Sequence, residues 1–400
     1  MNILSNRIQS LGESETLAMS KRSREMQARG YNIINLSIGQ PDFFTPDFIK
    51  DAAKQAIDDN ITYYPPVAGF QSLRQAIAEK LLRDNGLSYS PSQIVVSTGA
   101  KQAIANIMMS LVNPGDDVLV PVPYWVSYRE IIRLAEGNPI YIATDIQNAF
   151  KVTAQDIEKS ITEKTKVIIF SSPCNPTGGV YTAGELEALA RVFAKYPQLY
   201  IISDEIYELI NFEGRHSSIA TFSAIHDRVI VINGVSKGFA MTGWRLGYSA
   251  SEKSIAAAAE KYQGQITSGA SSISQMAAEA ALKVNPSDVE ETGIMHKAFR
   301  QRRDLLIEKL NEIAGFKTYV PKGAFYIFPD VSSLFGKSFN GKVIADSLEL
   351  ADFLLEEALV AVVPGSAFGD PNCIRISYAT SEKELTEATA RIKEAVEKLQ

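Results

Sequence analysis

Between residues 93 and 232 the chain repeats one pattern, a short Val/Ile-rich run followed by a longer segment with apolar residues at helical spacing. The runs cover residues 93–97, 117–120, 139–142, 167–171, 200–203 and 228–232, and segments such as 101–112 and 182–195 lie between them. A further helical segment follows at 255–263. Runs this short and apolar have no polar face, so both faces must be covered. Alternating helices supply that cover, which predicts an α/β unit built around a mostly parallel sheet. In such sheets ligands gather beyond the carboxyl ends of the strands, so the residues just past each run are the ones to search for chemistry.

From about residue 290 the pattern changes. A long charged helical stretch through Met295, Phe299, Leu305 and Leu310 leads to short apolar runs at 324–328, 359–363 and 373–377. A helix around 348–358 and a last amphipathic helix from Glu382 complete what reads as a second, smaller α+β unit. Two units also suit 400 residues, more than one small core holds. A helix over 14–29 could pack with either unit.

Other classes of protein lack support. The net charge of -6 gives no reason to expect a nucleic acid partner. Cys174 and Cys373 have no paired spacing, which argues against a disulfide framework or zinc ribbon and fits a reducing cytoplasm. His216, His226 and His296 show no metal-ligand spacing, and neither a Walker loop nor a dinucleotide fingerprint occurs. The N-terminal residues are polar and no apolar run approaches the ~20 residues of a membrane span. A cytoplasmic protein without membrane or nucleic acid partners is expected.

Four strand ends carry unusual residues. The run 93–97 leads through Thr98-Gly99-Ala100-Lys101 into a helix, whose open backbone N–H groups suit a phosphate. The run 167–171 leads into Ser172-Pro173-Cys174-Asn175-Pro176-Thr177-Gly178-Gly179, where two prolines restrict the backbone around Asn175. The run 200–203 ends in Asp204-Glu205-Ile206-Tyr207, an acid that is costly to bury without a cation or donor. The run 228–232 leads to Asn233-Gly234-Val235-Ser236-Lys237, a lysine among small and apolar neighbours. Such burial depresses an amine pKa, and an unprotonated amine is what Schiff-base chemistry requires. Taken singly, each has an ordinary explanation: a helix entry, a turn, a helix cap, a solvated lysine. Together at one sheet edge they suit a phosphorylated pyridine aldehyde, with amine for aldehyde, acid for ring nitrogen, and amide with hydroxyl for the ring oxygen.

The segment Ser236-Lys237-Gly238-Phe239-Ala240-Met241-Thr242-Gly243-Trp244-Arg245-Leu246-Gly247-Tyr248 resembles the lysine signature of class I aminotransferases. The resemblance runs from Gly39-Gln40-Pro41-Asp42-Phe43 to Arg375-Ile376-Ser377-Tyr378, and is greatest to the bacterial aspartate subgroup that includes prephenate-using enzymes. It implies the fold type I architecture, with a large domain over 48–290 holding a seven-stranded, mostly parallel sheet and a small domain from 1–47 and 291–400.

It also implies pyridoxal 5′-phosphate as cofactor. Lys237 would carry it as a Schiff base and shuttle the proton, Asp204 would pair with the ring nitrogen, and Tyr207 and Asn175 would bond the ring oxygen. Trp125 would stack on the ring, and the phosphate would sit on Gly99, Ala100 and Lys101 with Ser236 and Arg245. Tyr64 would reach the phosphate of a neighbouring subunit, implying a homodimer with shared sites. Arg375, near the Gly39 backbone, would hold the substrate α-carboxylate, with Trp125 and Asn175 beside it, while Lys101 with Ser14 and Thr16 would meet a distal carboxylate. The expected reaction is L-aspartate plus 2-oxoglutarate to oxaloacetate plus L-glutamate. Prephenate or aromatic transamination, and a β-eliminating carbon–sulfur lyase, are the alternatives. One position departs from the family, which often has serine three residues before the lysine; here Gly234 stands there.

Overall fold

The computed structural model describes residues 3–12 and 15–400. All six expected strands form: β1 (Ile94–Ser97), β2 (Asp117–Pro121), β3 (Asn138–Ile142), β4 (Thr165–Ser171), β5 (Tyr200–Asp204) and β6 (Val229–Gly234). A further strand, β7 (Gly247–Ala250), completes a seven-stranded sheet in the order β1-β7-β6-β5-β4-β2-β3. Its residues, Gly-Tyr-Ser-Ala, lack a Val/Ile run and give no strand signal by themselves. It runs antiparallel to both neighbours, while β6, β5, β4, β2 and β3 pair in parallel. Since β7 opposes both β1 and β6, those two point the same way, and the strands that carry the unusual residues all end at one edge.

Both sheet faces are covered. Leu119, Ile168, Ile201 and Val231 pack into one apolar layer with Ile77 and Phe193. Their neighbours Val118, Ile169, Ile202 and Ile230 pack into the other with Ile104, Ala256 and Ala259. Alternate residues of one strand thus serve different layers, and each buried Val or Ile contributes about 1.5–3 kcal/mol relative to exposure. On the second layer lie helices α2 (Ala100–Leu111) and α3 (Lys253–Ile266). Helix α4 (Ser272–Lys283) follows and adds Ala277, Ala278 and Ala281 to the first layer.

A separate core gathers the C-terminal elements: α5 (Glu290–Asn311), α6 (Ser347–Glu357), α7 (Glu382–Val396) and a small antiparallel sheet. That sheet has the order β9-β10-β8, with β8 at Tyr326–Ile327, β9 at Val363–Pro364 and β10 at Ile374–Ser377. The N-terminal helix, α1 (Glu15–Ala28), packs here, not on the large sheet: Met19 enters this core, and Arg22 pairs with Asp352 and Glu356 of α6. Ile34 and Asn35 pair in parallel with Val360 and Ala361, tying the next segment to the same core. Ile206, Tyr207, Ile210 and Phe212, which follow β5, reach into it as well, so the end of the large sheet is packed against the second unit.

Candidate active site

The strand-end residues converge on a cleft of about 1040 Å³ that includes its open mouth. Of the residues singled out in the sequence, Gly39, Ala100, Lys101, Trp125, Asn175, Asp204, Tyr207, Ser236, Lys237, Arg245 and Arg375 all line it. Thr16 and Leu17 of the N-terminal helix reach it too. Ser14 lies outside the described residues. Tyr64 stands apart, 98% exposed on the surface.

Two ionisable groups lie opposite each other in pKa. Lys237 follows β6 and its Nζ donates to the Gly39 carbonyl at 2.6 Å. Burial, then the nearby Arg375 and Arg245 charges, push its pKa down to about 8, against a weaker opposing pull from Asp204. Asp204 ends β5 and is buried. Burial raises its pKa to about 6, although the Tyr128 hydroxyl (2.7 Å) and the Ile206 amide (3.3 Å) both donate to it. A charged Asp204 therefore gains from a further donor or cation placed at it, and Lys237 gives up its proton at a lower pH than an ordinary lysine does. The latter is open to measurement without any ligand. Competitive labelling of the apoprotein by an amine-directed reagent should show Lys237 gaining reactivity as pH rises through about 8. A midpoint near the ordinary lysine value would remove the depressed amine from the site.

Arg375, on β10, lines the same cleft and is buried. Its Nη1 donates to Asn175 Oδ1 at 3.1 Å and its Nη2 to the Ser37 carbonyl at 2.6 Å. Its guanidinium lies over the Tyr326 ring, 4.5 Å from the centroid, and Nε has no partner among the described residues. No ion pair to an acid is formed by Arg375 among those residues. A buried cation left without its counter-charge is costly, and a carboxylate arriving from the cleft satisfies both charge and donor.

The turn from β1 into α2 forms the third part. Gly99 has a φ of +84°, and a Cβ there would come within 2.5 Å of Arg245 Nη2, so a glycine lets the guanidinium lie against the helix entry. The first N–H groups of α2 have no intrahelical acceptor and present themselves beside that cation. Gly234 is explained by the same crowding. It pairs with Gly247, and a Cβ on Gly234 would lie 2.8 Å from the Gly247 Cα. A Cβ on Gly247 would lie 2.3 Å from the Ala100 amide nitrogen. Both glycines therefore sit where β6, β7 and the helix entry come closest together.

Trp125 is half-buried and packs edge-on against Tyr128, 5.5 Å between centroids. Lys101 projects from the first turn of α2 with its Nζ 5.1 Å from the Trp125 ring centroid. Its ammonium is partly desolvated, which together with Arg245 lowers its pKa.

Tyr128 and Tyr326 have roles the sequence did not reveal. Tyr128 holds Asp204, and the Tyr326 hydroxyl meets the Tyr207 hydroxyl at 2.8 Å. Tyr128 stands three residues after Trp125, and Tyr326 sits in a run readable only as a strand. Neither carries a local signal of its partner.

The aminotransferase class I and II family model matches residues 31–392. The bifunctional aspartate aminotransferase and glutamate/aspartate-prephenate aminotransferase of Petunia hybrida is 47% identical over 98% of this chain and 82% of its own length. The aspartate/prephenate aminotransferase of Cereibacter sphaeroides is 44% identical over 98% of both chains. Among solved structures, the aspartate aminotransferase of Rhizobium meliloti superposes with a TM-score of 0.96 at 41% identity, covering 100% of both chains. That of Thermus thermophilus with maleate gives 0.93 at 38%, covering 99% of this chain and 100% of the other.

Proposed function

Because the chain belongs to the class I and II aminotransferase family and is an aminotransferase, we propose that this cleft transfers the amino group of L-aspartate to 2-oxoglutarate on pyridoxal 5′-phosphate held at Lys237. The observation that carries the site assignment is the pairing of a depressed lysine with a raised, buried aspartate across one cleft. The class I family depends on pyridoxal phosphate, and the residues present fit it. Lys237 supplies the amine, Asp204 an acid that gains from a cationic ring nitrogen, and the Gly99–Arg245 contact a cradle for the phosphate. When bound, the cofactor supplies an electron sink for the pair left on the substrate Cα and a store for the amino group between half-reactions.

The chain's own residues do the rest. Arg375 binds the α-carboxylate through its planar fork, fixing which face of the substrate meets Lys237. Lys237 Nζ, whose lowered pKa favours the free amine, would take the proton from Cα and hold it for return. Asn175 and Tyr207 would donate to the ring oxygen, and Trp125 would cover one ring face. Ala100 and Lys101 would offer backbone N–H groups to the phosphate beside Ser236 and Arg245. Tyr64, fully exposed on this chain, reaches the phosphate site of a second copy, making the protein a homodimer with shared sites. The same reading divides the chain into a domain over 48–290 and one from 1–47 with 291–400, the cleft lying between them. It also takes the enzyme to be cytoplasmic. No helix among the described residues is long and apolar enough to cross a membrane.

Lys101 and Thr16 line the same cleft as Arg375 and suit a second, distal carboxylate, which favours dicarboxylic substrates. The names of the relatives favour a second amino acceptor, prephenate, through the same pocket. The test is the visible absorbance of the protein loaded with pyridoxal phosphate. The band should bleach with L-aspartate and return with 2-oxoglutarate, and prephenate should return it if it too is accepted. A band indifferent to aspartate moves the substrate elsewhere, including to elimination chemistry. No band after loading removes the cofactor assignment.

A further inference from the structure

One polar side chain outside the cleft is paired more completely than packing requires. Helix α3 turns a stripe of Ala256, Ala259 and Gln263 toward the large sheet, and Gln263 is 0% exposed. A buried amide in an apolar stripe is costly unless all its groups are paired. Here they are. Gln263 Nε2 donates to the Val67 carbonyl (2.7 Å) and the Val96 carbonyl (2.9 Å). Its Oε1 accepts from Ser97 Oγ (2.6 Å) and Asn106 Nδ2 (2.8 Å).

These partners lie on three segments with one thing in common. Val96 and Ser97 are the end of β1, which runs directly into Thr98-Gly99-Ala100-Lys101. Asn106 lies on α2, the helix whose first turn faces Arg245. Val67 lies in the loop that carries Tyr63 and Tyr64. The end of α3 braces the same parts a second time. The Thr98 amide donates to Gln102 Oε1 at 2.6 Å, and Gln102 Nε2 donates to Thr267 Oγ1 at 2.6 Å, just past the end of α3. Helix α4 pins the loop further, with Ser272 Oγ donating to the Tyr63 carbonyl and the Phe70 amide donating to Gln275 Oε1, both at 2.8 Å.

Resting on the reading of the cleft given above, we propose that Gln263 is a positioning residue for the phosphate end of the site. It holds the β1–α2 turn and the Tyr64 loop in one register. The physical reason is geometric. N–H donors at a helix entry bind an anion only within a narrow range of distance and angle. A side chain with four short bonds across three segments fixes that entry in a way an apolar residue cannot, since hydrophobic contact has no direction. Lys237, Asp204 and Arg375 are held by other strands and do not depend on it.

The test separates phosphate from the rest of the cofactor. Dissociation constants for pyridoxal phosphate, pyridoxal and inorganic phosphate are measured on the apoprotein of wild type, Gln263→Leu and Thr267→Val. Gln263→Leu should weaken pyridoxal phosphate and inorganic phosphate by about tenfold or more, the loss of one or two good hydrogen bonds, and leave pyridoxal nearly unchanged. Thr267→Val should show the same selectivity with a smaller loss. Equal losses for pyridoxal and pyridoxal phosphate, or no loss, overturn the proposal. If Gln263→Leu does not fold, Thr267→Val and Gln102→Ala carry the test, and absence of phosphate selectivity in both overturns it. A wild-type protein that binds pyridoxal phosphate no better than pyridoxal, and shows no binding of inorganic phosphate, sinks the cradle itself. That outcome is distinct from a wild type that binds them while its variants match it.

Discussion

Replacing Lys237 by alanine should cut turnover by about ten-thousandfold or more, because one residue supplies both the attachment amine and the proton shuttle. The visible band of the loaded protein should vanish with it. Folding should survive, since among the described residues the amine makes a single hydrogen bond, to Gly39, and its depressed pKa means that burial already disfavours its charge. The sign follows from that shift. A lysine whose folded pKa falls below its unfolded value makes the folded state less stable at neutral pH, so its removal should not lower Tm. Turnover near wild type in the variant would take Lys237 out of its role, and collapse of the fold would show that its burial is structural.

Replacing Arg375 should act on every substrate. All amino and oxo acids carry the α-carboxylate, so Arg375→Ala should lower kcat/KM for each by about two to three orders of magnitude, the 2–5 kcal/mol typical of a desolvated charge pair that loses one partner. Arg375→Lys should recover little, because an ammonium lacks the planar fork and cannot serve Asn175, Ser37 and a ligand together. A second readout follows from electrostatics. The Arg375 charge lowers the Lys237 pKa, so in Arg375→Ala the labelling midpoint of Lys237 should rise above about 8. A defect confined to dicarboxylates would assign Arg375 to the distal end of the substrate instead.

The residues of the cleft differ in how far the sequence revealed them. Lys237 and Arg245 share one segment, and Asp204 and Tyr207 another, so each pair sits at a fixed offset from a recognisable strand. Arg375 lies 200 residues from Asn175, yet their side chains meet. The resemblance named it, while nothing local pointed to it. Tyr128 and Tyr326 carry no sequence signal of their roles because their partners, 76 and 119 residues away, are brought to them only by packing. Strand β7 has no apolar run to mark it, and its place is set by pairing along its length with β1 on one side and β6 on the other. Gln263 reads in the sequence as the end of a helix and in the fold as a hub.

The order of strands and helices was legible in the chain because periodicity is local: two residues per strand repeat, 3.6 per helical turn, and a turn where each pattern breaks. So was the edge of the sheet where chemistry collects, since parallel strands share a direction. Which core receives the N-terminal helix, which hydroxyl holds Asp204, and where Arg375 loses its counter-charge all depend on how the second unit packs against the end of the large sheet. The same holds for the pKa values. A lysine and an aspartate carry their ordinary values in an open chain, and burial beside particular neighbours, a property of the folded molecule alone, moves one down and the other up.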